Sequence, residues 1–338
     1  MCVSSRLRVL VIGVGSIGER HLRCFAATDR AELAICEVNQ SLGRQVAERY
    51  GVTENYAELE EALHNPPRVA VVATPAHLHI PMAMRLAEAG THLLIEKPLS
   101  ISLNGVDALI QRVREFDLRV AVAYVYRQHP ALQAMKSAID SGRFGKPLQL
   151  VATCGQHFPT YRPAYREIYY ANRATGGGAI QDALPHVLNA AEWLLGPIDR
   201  LAADADHLLL PGVEVEDTVH LIARHGSVMA AYSLNQHQAP NESTITVVCE
   251  RGTCRFEFPR HRWMWITEPD TPWQTERFSD LQRDDLFVRQ AHAFLDCVER
   301  RTEPACSLEE AAQTLRATLA LLESVETGQW KSTHSPQL

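Results

Sequence analysis

The sequence predicts two domains and a short tail. Residues 1–124 are expected to form an α/β domain with a doubly wound parallel sheet, and residues 125–330 an α+β domain built on a large, mostly antiparallel sheet, before a tail at 331–338. The 338 residues exceed what one small core accommodates. Short apolar runs alternate with helical patterns up to about residue 125, after which strand-like segments follow one another without intervening helices.

The first domain is predicted to alternate strands with helices. Nearly continuous apolar runs are typical of parallel strands covered on both faces. They lie at 7–12, 33–37, 68–73, 92–96 and 119–124. Helical patterns lie at 17–27, 41–50, 78–89 and 102–116. Gly51 and Gly90 follow two of these helices, where glycine is the usual stop because it accepts the left-handed conformation.

The second domain is predicted to be richer in strands. A helix at 130–139 and a strand at 147–157 come first, and helices at 284–300 and 308–327 close the chain. The strand-like segments between them lie at 200–210, 217–224, 228–236, 243–250, 253–258 and 262–267. The turn at 250–252 suits a hairpin, so the sheet is expected to be largely antiparallel.

Composition narrows the function classes. The 40 acidic and 33 basic residues give a net charge of −7, which disfavours nucleic acid and anionic membranes as partners. No apolar run approaches the roughly 18 residues of a membrane span. The eight cysteines include no C-x-x-C pair, so we expect reduced thiols, a cytoplasmic protein and no bound metal.

The first chemical motif is a glycine turn between the first predicted strand and helix. Residues 13–18 read G-V-G-S-I-G, which fits G-x-G-x-x-G of dinucleotide-binding Rossmann domains. There the first glycine permits a tight turn, the second lets the pyrophosphate approach, and the third lets helix and strand pack closely. The alternative is an ordinary glycine-rich turn. The predicted phosphate-binding residues are Gly13, Gly15, Ser16, Ile17 and Gly18.

An acidic residue follows the second predicted strand. Glu37 lies 19 residues beyond Gly18, where such domains hold the ribose hydroxyls of NAD. A carboxylate there repels the 2′-phosphate of NADP, so NAD is the predicted cofactor. Arg44 is the nearest downstream arginine and could relax this preference. The alternative for Glu37 is an exposed glutamate at a strand end.

The second motif, Glu96-Lys97-Pro98, ends the strand predicted at 92–96, where open α/β sheets bind ligands. Residues 73–75 read A-T-P, and His79 follows four residues later. With the glycine turn, these motifs resemble the Gfo/Idh/MocA family, of glucose-fructose oxidoreductase and inositol dehydrogenase types. In that family the Lys-Pro peptide is typically cis, and the lysine faces substrate and nicotinamide. The resemblance implies that the cofactor contacts include Thr74, Pro75, His79, Glu96, Lys97 and Pro98.

The third motif, at 176–186, reads G-G-G-A-I-Q-D-A-L-P-H. It resembles the family's G-G-G-x-x-x-D-x-x-x-H signature, whose aspartate and histidine meet the substrate. Residues four apart on a helix share a face, so Asp182 and His186 are expected to point together into the cleft. The sequence departs from the family at Leu184-Pro185, where glycine is frequent, and at Asn189, where an acid is common. A metal site would need further ligands, which this segment does not offer.

Residues 161–173 carry four tyrosines and three arginines. One interpretation is an amphipathic helix that packs its tyrosines on a neighbour. The other is a substrate lid, with tyrosines on sugar rings and arginines on an anionic group, which suggests a uronate or nucleotide sugar. Tyr126 and Arg127 would add to the same pocket or form a hinge. The candidate substrate contacts are Lys97, Tyr126, Arg127, Tyr161, Arg162, Arg166, Asp182 and His186.

The resemblance implies an NAD-dependent dehydrogenase that oxidises a secondary alcohol of a sugar, sugar acid, nucleotide sugar or inositol. This chemistry needs a base for the hydroxyl proton and a positive charge near the developing alkoxide. His186 is the candidate base, Asp182 would orient it, and Lys97 would stabilise the alkoxide or itself be the base. The alternatives are an NAD-dependent glycosidase that works by transient oxidation and elimination, and a non-catalytic dinucleotide-binding regulator. The resemblance also implies a homodimer or homotetramer.

Overall fold

The computed structural model describes residues 6–334, which form two compact units. One unit comprises residues 6–128 and 282–312, and the other comprises 129–281 and 313–334. Each unit has its own sheet, and the predicted fold class is confirmed. The first unit differs from the contiguous stretch 1–124 expected from the sequence, because a distant segment of the chain belongs to it.

The first unit contains a wholly parallel, six-stranded sheet. Its strands are β1 (Leu7–Ile12), β2 (Ala31–Cys36), β3 (Glu54–Tyr56), β4 (Val69–Val72), β5 (His92–Ile95) and β6 (Val120–Val122). The helices that alternate with them are α1 (Ser16–Ala26), α2 (Gln40–Tyr50), α3 (Leu59–Leu63), α4 (His79–Glu88) and α5 (Val106–Glu115). The strand order is β3-β2-β1-β4-β5-β6, so the winding reverses between β1 and β4. The sequence did not predict β3, whose residues E-N-Y form no apolar run, or α3, whose five residues are too few for a helical period.

The second unit contains a nine-stranded sheet, in which only the β7–β10 pair is parallel. Its strands are β7 (Pro147–Gly155), β8 (Arg200–Asp206), β9 (Thr218–His225), β10 (Val228–Asn235), β11 (Glu242–Cys249), β12 (Gly252–Glu257), β13 (Arg262–Ile266), β14 (Gln274–Arg277) and β15 (Lys331–Ser332). Their order is β14-β13-β12-β11-β7-β10-β9-β8-β15. The sequence did not predict β14 or β15, and β15 lies in the stretch expected to be a tail. Residues 335–338 of that tail lie outside the described part.

Within the described residues, six further α-helices follow β6. They are α6 (Pro130–Asp140), α7 (Phe158–Tyr161), α8 (Ala179–Asp182), α9 (Leu184–Leu195), α10 (Asp285–Val298) and α11 (Leu308–Thr327). The core around β1 and β4 contains Val9, Val11, Val69 and Val71, which are fully buried. Four residues of α10 join this same core: Ala291, Phe294, Leu295 and Val298. This apolar packing explains why a distant helix belongs to the first unit.

Burial alternates along the central strands of the second sheet. On β9, Val219, Leu221 and Ala223 are buried, whereas His220 and Ile222 are exposed. The strands β10 and β11 alternate in the same way, so one face of the sheet packs on the unit's interior and the other is open.

Three general findings concern the described residues. Seven of the eight cysteines lie among them, all as buried free thiols, and Cys2 lies outside. No helix within residues 6–334 is both long and apolar enough to cross a membrane. In the same range, no group of three or more His, Cys, Asp or Glu side chains is arranged to hold a metal ion.

Candidate active site

The predicted cofactor motifs of the first unit meet at one edge of its sheet. Ile12 pairs in register with Cys36 and Val72, and Val72 pairs with Ile95. The chain therefore leaves four neighbouring strands at the same level, at residues 13, 37, 73 and 96. This is the carboxyl edge, at the strand reversal between β1 and β4, where open α/β sheets bind ligands.

The three glycines of the turn differ in backbone conformation and in the space that a side chain would have. Gly13 has φ +80°, and a Cβ on it would lie 2.9 Å from the Ala73 carbonyl oxygen. A Cβ on Gly18 would lie 1.7 Å from the Gly13 carbonyl oxygen, so this glycine lets α1 pack closely on β1. Gly15 is exposed, has φ −62°, and its Cβ would meet nothing within 4 Å. The fold itself therefore does not require glycine at position 15.

The space beside Gly15 fits a dinucleotide. The position leaves open the side from which a pyrophosphate would approach the backbone, next to the N-terminus of α1 at Ser16. Close by, Thr74 Oγ1 is buried and makes no hydrogen bond within residues 6–334. A bound ligand would give the Thr74 hydroxyl a hydrogen-bond partner, and it would explain why position 15 is glycine although the fold does not require it.

Glu37 holds the glycine turn. Its Oε2 accepts the Val14 N–H at 2.8 Å, its Oε1 accepts the Asn39 N–H at 2.9 Å, and the residue is 9% exposed. Each carboxylate oxygen can accept a further hydrogen bond, so this role is compatible with ribose binding. Arg44 donates to the Gln40 carbonyl of its own helix at 3.2 Å.

Glu96 and Lys97 follow β5 at the same edge. The Glu96 side chain is buried, with Oε1 at 2.6 Å from His21 Nε2 and Oε2 accepting the Lys97 N–H at 3.0 Å. Lys97 itself is partly exposed, and the Lys97–Pro98 peptide is cis, as the resemblance implies.

His79 joins two of the predicted motifs. Its ring is 1% exposed, with Nδ1 at 2.9 Å from the Pro98 carbonyl oxygen and Nε2 at 2.8 Å from that of Thr74. Burial lowers the pKa of His79, and the two carbonyl contacts oppose this shift only in part. The ring therefore ties the turn after β4 to the segment after β5.

In the second unit, the triple glycine allows two close backbone approaches. Gly176 and Gly178 have φ +92° and +89°. A Cβ on Gly177 would lie 2.2 Å from the Tyr170 carbonyl oxygen, and one on Gly178 would lie 2.4 Å from Glu216 Oε1. Larger residues would push this segment away from both neighbours.

Asp182 and His186 lie on two successive helices. Asp182 ends α8 and His186 lies in the first turn of α9, where Pro185 loses no helical hydrogen bond. The sequence predicts one helix that carries both residues. In the structure this helix is interrupted at Ala183, which has φ −94° and ψ −45°. Asp182 Oδ1 accepts a hydrogen bond from the Tyr169 hydroxyl at 2.7 Å. Tyr169 thus fixes the carboxylate that the sequence predicts to be catalytic.

The segment 161–173 is not the amphipathic helix of the first interpretation. α7 ends at Tyr161, and short 3₁₀ turns at Tyr169–Ala171 and Arg173–Thr175 follow. Two of its tyrosines are 1% exposed in an apolar cluster, whereas the other two are 50% and 43% exposed. The buried pair is Tyr165 and Tyr170, and the exposed pair is Tyr161 and Tyr169. Burial, with the nearby charges of Asp182 and Glu216, raises the pKa of Tyr170.

The three arginines of this segment differ in their partners. Arg166 donates to the Pro211 carbonyl at 2.7 Å and stacks on the neighbouring tyrosine ring. Arg173 pairs with Glu216 at 2.8 Å. Arg162 is exposed, and no hydrogen bond or ion pair within residues 6–334 holds its guanidinium group. Only Arg162 is therefore available to an anionic ligand without giving up an internal contact.

Arg127 has a structural role that the sequence did not indicate. It is 3% exposed, and its Nη1 donates to Glu310 Oε1 at 2.6 Å and to the Ala305 carbonyl at 2.9 Å. A buried guanidinium committed to two acceptors is not free to bind substrate. We therefore leave Arg127 out of the substrate contacts, while Tyr126 beside it is partly exposed.

Sequence reasoning missed Glu216, which organises the segment of the second unit that carries Asp182. It is 3% exposed, accepts the Ile180 N–H at 3.0 Å, and binds Arg173. The neighbouring Asp217 is also buried and accepts three backbone N–H groups. Burial would raise the pKa of Asp217, but these donors outweigh it and lower that pKa. The sequence feature that could have indicated this role is the pair of adjacent acidic residues just before β9.

The fold and the first unit's edge together define a dinucleotide-binding oxidoreductase. The model of an oxidoreductase family with an NAD-binding Rossmann fold matches residues 7–124, and that of the GFO/IDH/MocA C-terminal domain matches residues 132–255. The chain therefore belongs to the Gfo/Idh/MocA family of oxidoreductases, as the sequence motifs indicated.

Named relatives cover most of the chain. It is 27% identical over 291 residues to levoglucosan dehydrogenase of Pseudarthrobacter phenanthrenivorans, covering 75% of this chain and 74% of the relative. It is 29% identical over 334 residues to myo-inositol 2-dehydrogenase of Thermotoga maritima, covering 95% and 96%. A solved levoglucosan dehydrogenase in complex with NADH and levoglucosan has a TM-score of 0.89 at 23% identity, covering 98% of this chain and 100% of that one. That structural likeness concerns the fold.

Proposed function

We propose that this protein is an NAD-dependent dehydrogenase that oxidises a secondary alcohol of a sugar or polyol. The observation that carries the proposal is the shared carboxyl edge of the first sheet, which holds both the dinucleotide turn and Lys97. The two relatives named for levoglucosan and myo-inositol support this substrate class, because both compounds carry ring hydroxyls.

The proposed cofactor is NAD rather than NADP. Gly15 and the N-terminus of α1 would hold the pyrophosphate, and Glu37 would accept the ribose hydroxyls. A carboxylate at the end of β2 disfavours a 2′-phosphate. Arg44, the candidate for relaxing that preference, donates to its own helix. We also propose a cytoplasmic location, which the buried free thiols support.

In the proposed mechanism the cofactor is the hydride acceptor, and side chains of the protein remove the proton and stabilise the charges. Held at the glycine turn and Glu37, NAD would supply the hydride acceptor for the substrate carbon. The His186 imidazole takes the hydroxyl proton, and Asp182, fixed by Tyr169, stabilises the resulting imidazolium. The Lys97 ammonium stabilises negative charge on the substrate oxygen as the proton leaves.

The test follows NADH absorbance with NAD or NADP and a panel of levoglucosan, myo-inositol, aldoses, a uronate and a nucleotide sugar. NADH is expected to accumulate with NAD and at least one compound. Lys97→Ala and His186→Ala should each lower turnover by about 10²–10⁴-fold while NADH still binds. Lys146→Ala is the matched control, because it removes an exposed lysine to which the proposal gives no role.

Two outcomes would overturn this proposal. Near wild-type turnover in both variants would remove Lys97 and His186 from the chemistry. Bound NADH with no turnover across the panel would favour a retained cofactor, as in the glycosidase alternative, or a regulator. Lys97→Arg adds detail, because it keeps the positive charge but not a usable base.

We also propose that the open face of the second sheet pairs with another copy of the chain. Val151, Ala231 and Ile222 are direct neighbours across β7, β10 and β9, and they form an apolar row on that face. Light scattering should give the mass of a dimer or tetramer, and Ile222→Glu should weaken the association between copies. A wild-type monomer at micromolar concentration would contradict the association.

A further inference from the structure

We infer that His21 is a positioning residue for Lys97, acting through the buried carboxylate of Glu96. The inference rests on the proposed role of Lys97 and concerns how this chain holds that lysine in place. Glu96 then has a structural duty beyond the cofactor contact that the family resemblance implies.

The link consists of two hydrogen bonds to one carboxylate. His21, on α1, is 1% exposed, and its Nε2 lies 2.6 Å from Glu96 Oε1. The other oxygen, Oε2, accepts the Lys97 N–H at 3.0 Å. A buried carboxylate is costly unless donors satisfy it, so the His21 contact keeps the Glu96 side chain inside. The carboxylate then holds the Lys97 backbone.

The His21 ring is held in turn by α10. Phe287 meets it edge to face, with ring centroids 5.7 Å apart and planes at 73°. The Arg20 guanidinium lies 4.9 Å from the centroid of the same phenyl ring and 3.4 Å from Asp284. All these residues belong to the first unit, so the position of Lys97 depends on a helix nearly 200 residues further along the chain.

The same hydrogen bonds fix the position of Lys97 relative to the glycine turn proposed to hold the cofactor. α1 begins at the glycine turn, and His21 lies three residues beyond Gly18 on that helix. If the His21 donor is lost, Glu96 Oε1 loses the contact that orients it, and the carboxylate can shift from its present position. The Lys97 N–H then loses its acceptor, and the lysine is no longer fixed relative to the dinucleotide turn.

The test compares His21→Leu, which cannot donate, with His21→Gln, whose side-chain amide can reach Glu96. Hydrogen exchange at the Lys97 amide reports the link without any substrate, and Pro98 has no amide to confuse the reading. We expect exchange to be faster by about tenfold or more in His21→Leu and within about threefold of wild type in His21→Gln.

Two further variants keep the test decisive. Glu19→Gln removes an ion pair to Arg49 from the same helix, away from α10 and Glu96, so the Lys97 amide should exchange as in wild type. If His21→Leu does not fold, Phe287→Ala takes its place, because it removes the edge-to-face support of the His21 ring and leaves the Glu96 carboxylate unchanged. It should also speed exchange at Lys97.

Turnover supplies the second readout. With a compound oxidised in the panel, His21→Leu should lower kcat by about 10²-fold, change the NADH dissociation constant little, and be rescued by glutamine. Unchanged Lys97 exchange in His21→Leu, or in Phe287→Ala if His21→Leu does not fold, would overturn this inference, even if Lys97→Ala were inactive. Full activity of Lys97→Ala would instead overturn the proposed function.

Discussion

The first unit's edge and the second unit's segment 158–186 are built in different ways. At the edge, four neighbouring strands end in register. The motif residues that come first or second after these strands are Gly13, Glu37, Thr74, Glu96 and Lys97. In the second segment, no regular element before α9 exceeds four residues. Its shape depends on the glycines at 176–178, on two buried tyrosines and on Glu216.

The difference concerns what a single substitution should do. A parallel sheet fixes the edge through many backbone hydrogen bonds, so only a residue that blocks close packing should disturb it. The second segment relies on a few long-range side-chain contacts, so removing one of them should change its conformation. The predictions below test this contrast, from the largest expected effect to the smallest.

Gly18→Val should give the largest effect, because its Cβ would lie 1.7 Å from the Gly13 carbonyl oxygen. We expect a loss of more than about 3 kcal/mol in the free energy of unfolding, or no folded protein at all. Urea unfolding followed by circular dichroism measures it. A stable Gly18→Val protein would mean that α1 does not need to pack this closely on β1.

His92 should make the stability of the first unit depend on pH. Burial and nearby arginines lower the pKa of His92 to about 4, and its Nδ1 accepts the Arg119 N–H at 2.9 Å. Above about pH 6.5 the ring is neutral in both states, so the full stability is present. As the pH falls towards about 4, only the unfolded chain takes up the proton, which costs about 3 kcal/mol.

The variant His92→Asn tests that origin. Its side-chain oxygen can still accept from Arg119, but it does not titrate. The free energy of unfolding, measured at several pH values, should fall less steeply between about pH 6.5 and 4 in this variant than in wild type. Equal slopes in the two proteins would assign the acid sensitivity to other groups.

Glu216→Ala should damage the second unit's segment. The substitution removes the acceptor of the Ile180 N–H and the partner of Arg173, and we expect a loss of about 2 kcal/mol in the free energy of unfolding. Turnover should fall as well, because α8 carries Asp182. Glu214→Ala, at an exposed position two residues earlier, is the matched control. Similar small effects of both variants would show that Glu216 does not hold the segment.

Gly15→Ala should give the smallest effect on the fold and a selective one on the cofactor. Its Cβ meets nothing within 4 Å, so the free energy of unfolding should stay the same or rise by up to about 1 kcal/mol. The NADH dissociation constant should rise by about tenfold, because the methyl group occupies the side from which the pyrophosphate approaches. Titration of NADH fluorescence measures this, and unchanged affinity would place the dinucleotide elsewhere.

The same contrast explains how much could be predicted from the sequence. Strand ends in a parallel sheet share one edge, so Gly13, Glu37 and Glu96 could be placed together from local patterns alone. Periodicity also gave most helices and strands, but not β3 or β14, whose sequences E-N-Y and Q-T-E-R contain no apolar run. The prediction of a strand depends on such a run.

Long-range side-chain contacts could not be predicted from the sequence. Nothing local to Arg127 indicates that Glu310 binds it, and nothing local to His21 indicates Glu96. The tyrosines at 165 and 169 lie only four residues apart, yet one is buried and the other binds Asp182. Such pairings depend on tertiary packing, which a single sequence does not encode in any short window.

The central claim is that hydride passes from a ring carbon of a sugar or polyol to NAD held at the Gly15 turn. The most direct measurement supplies NAD with panel compounds deuterated on carbon and determines the mass of the cofactor recovered from the wild-type protein. The account predicts NADH that carries one deuterium from the substrate, and none in Lys97→Ala. Unlabelled NADH, or no reduced cofactor with any compound although NADH binds, would contradict it.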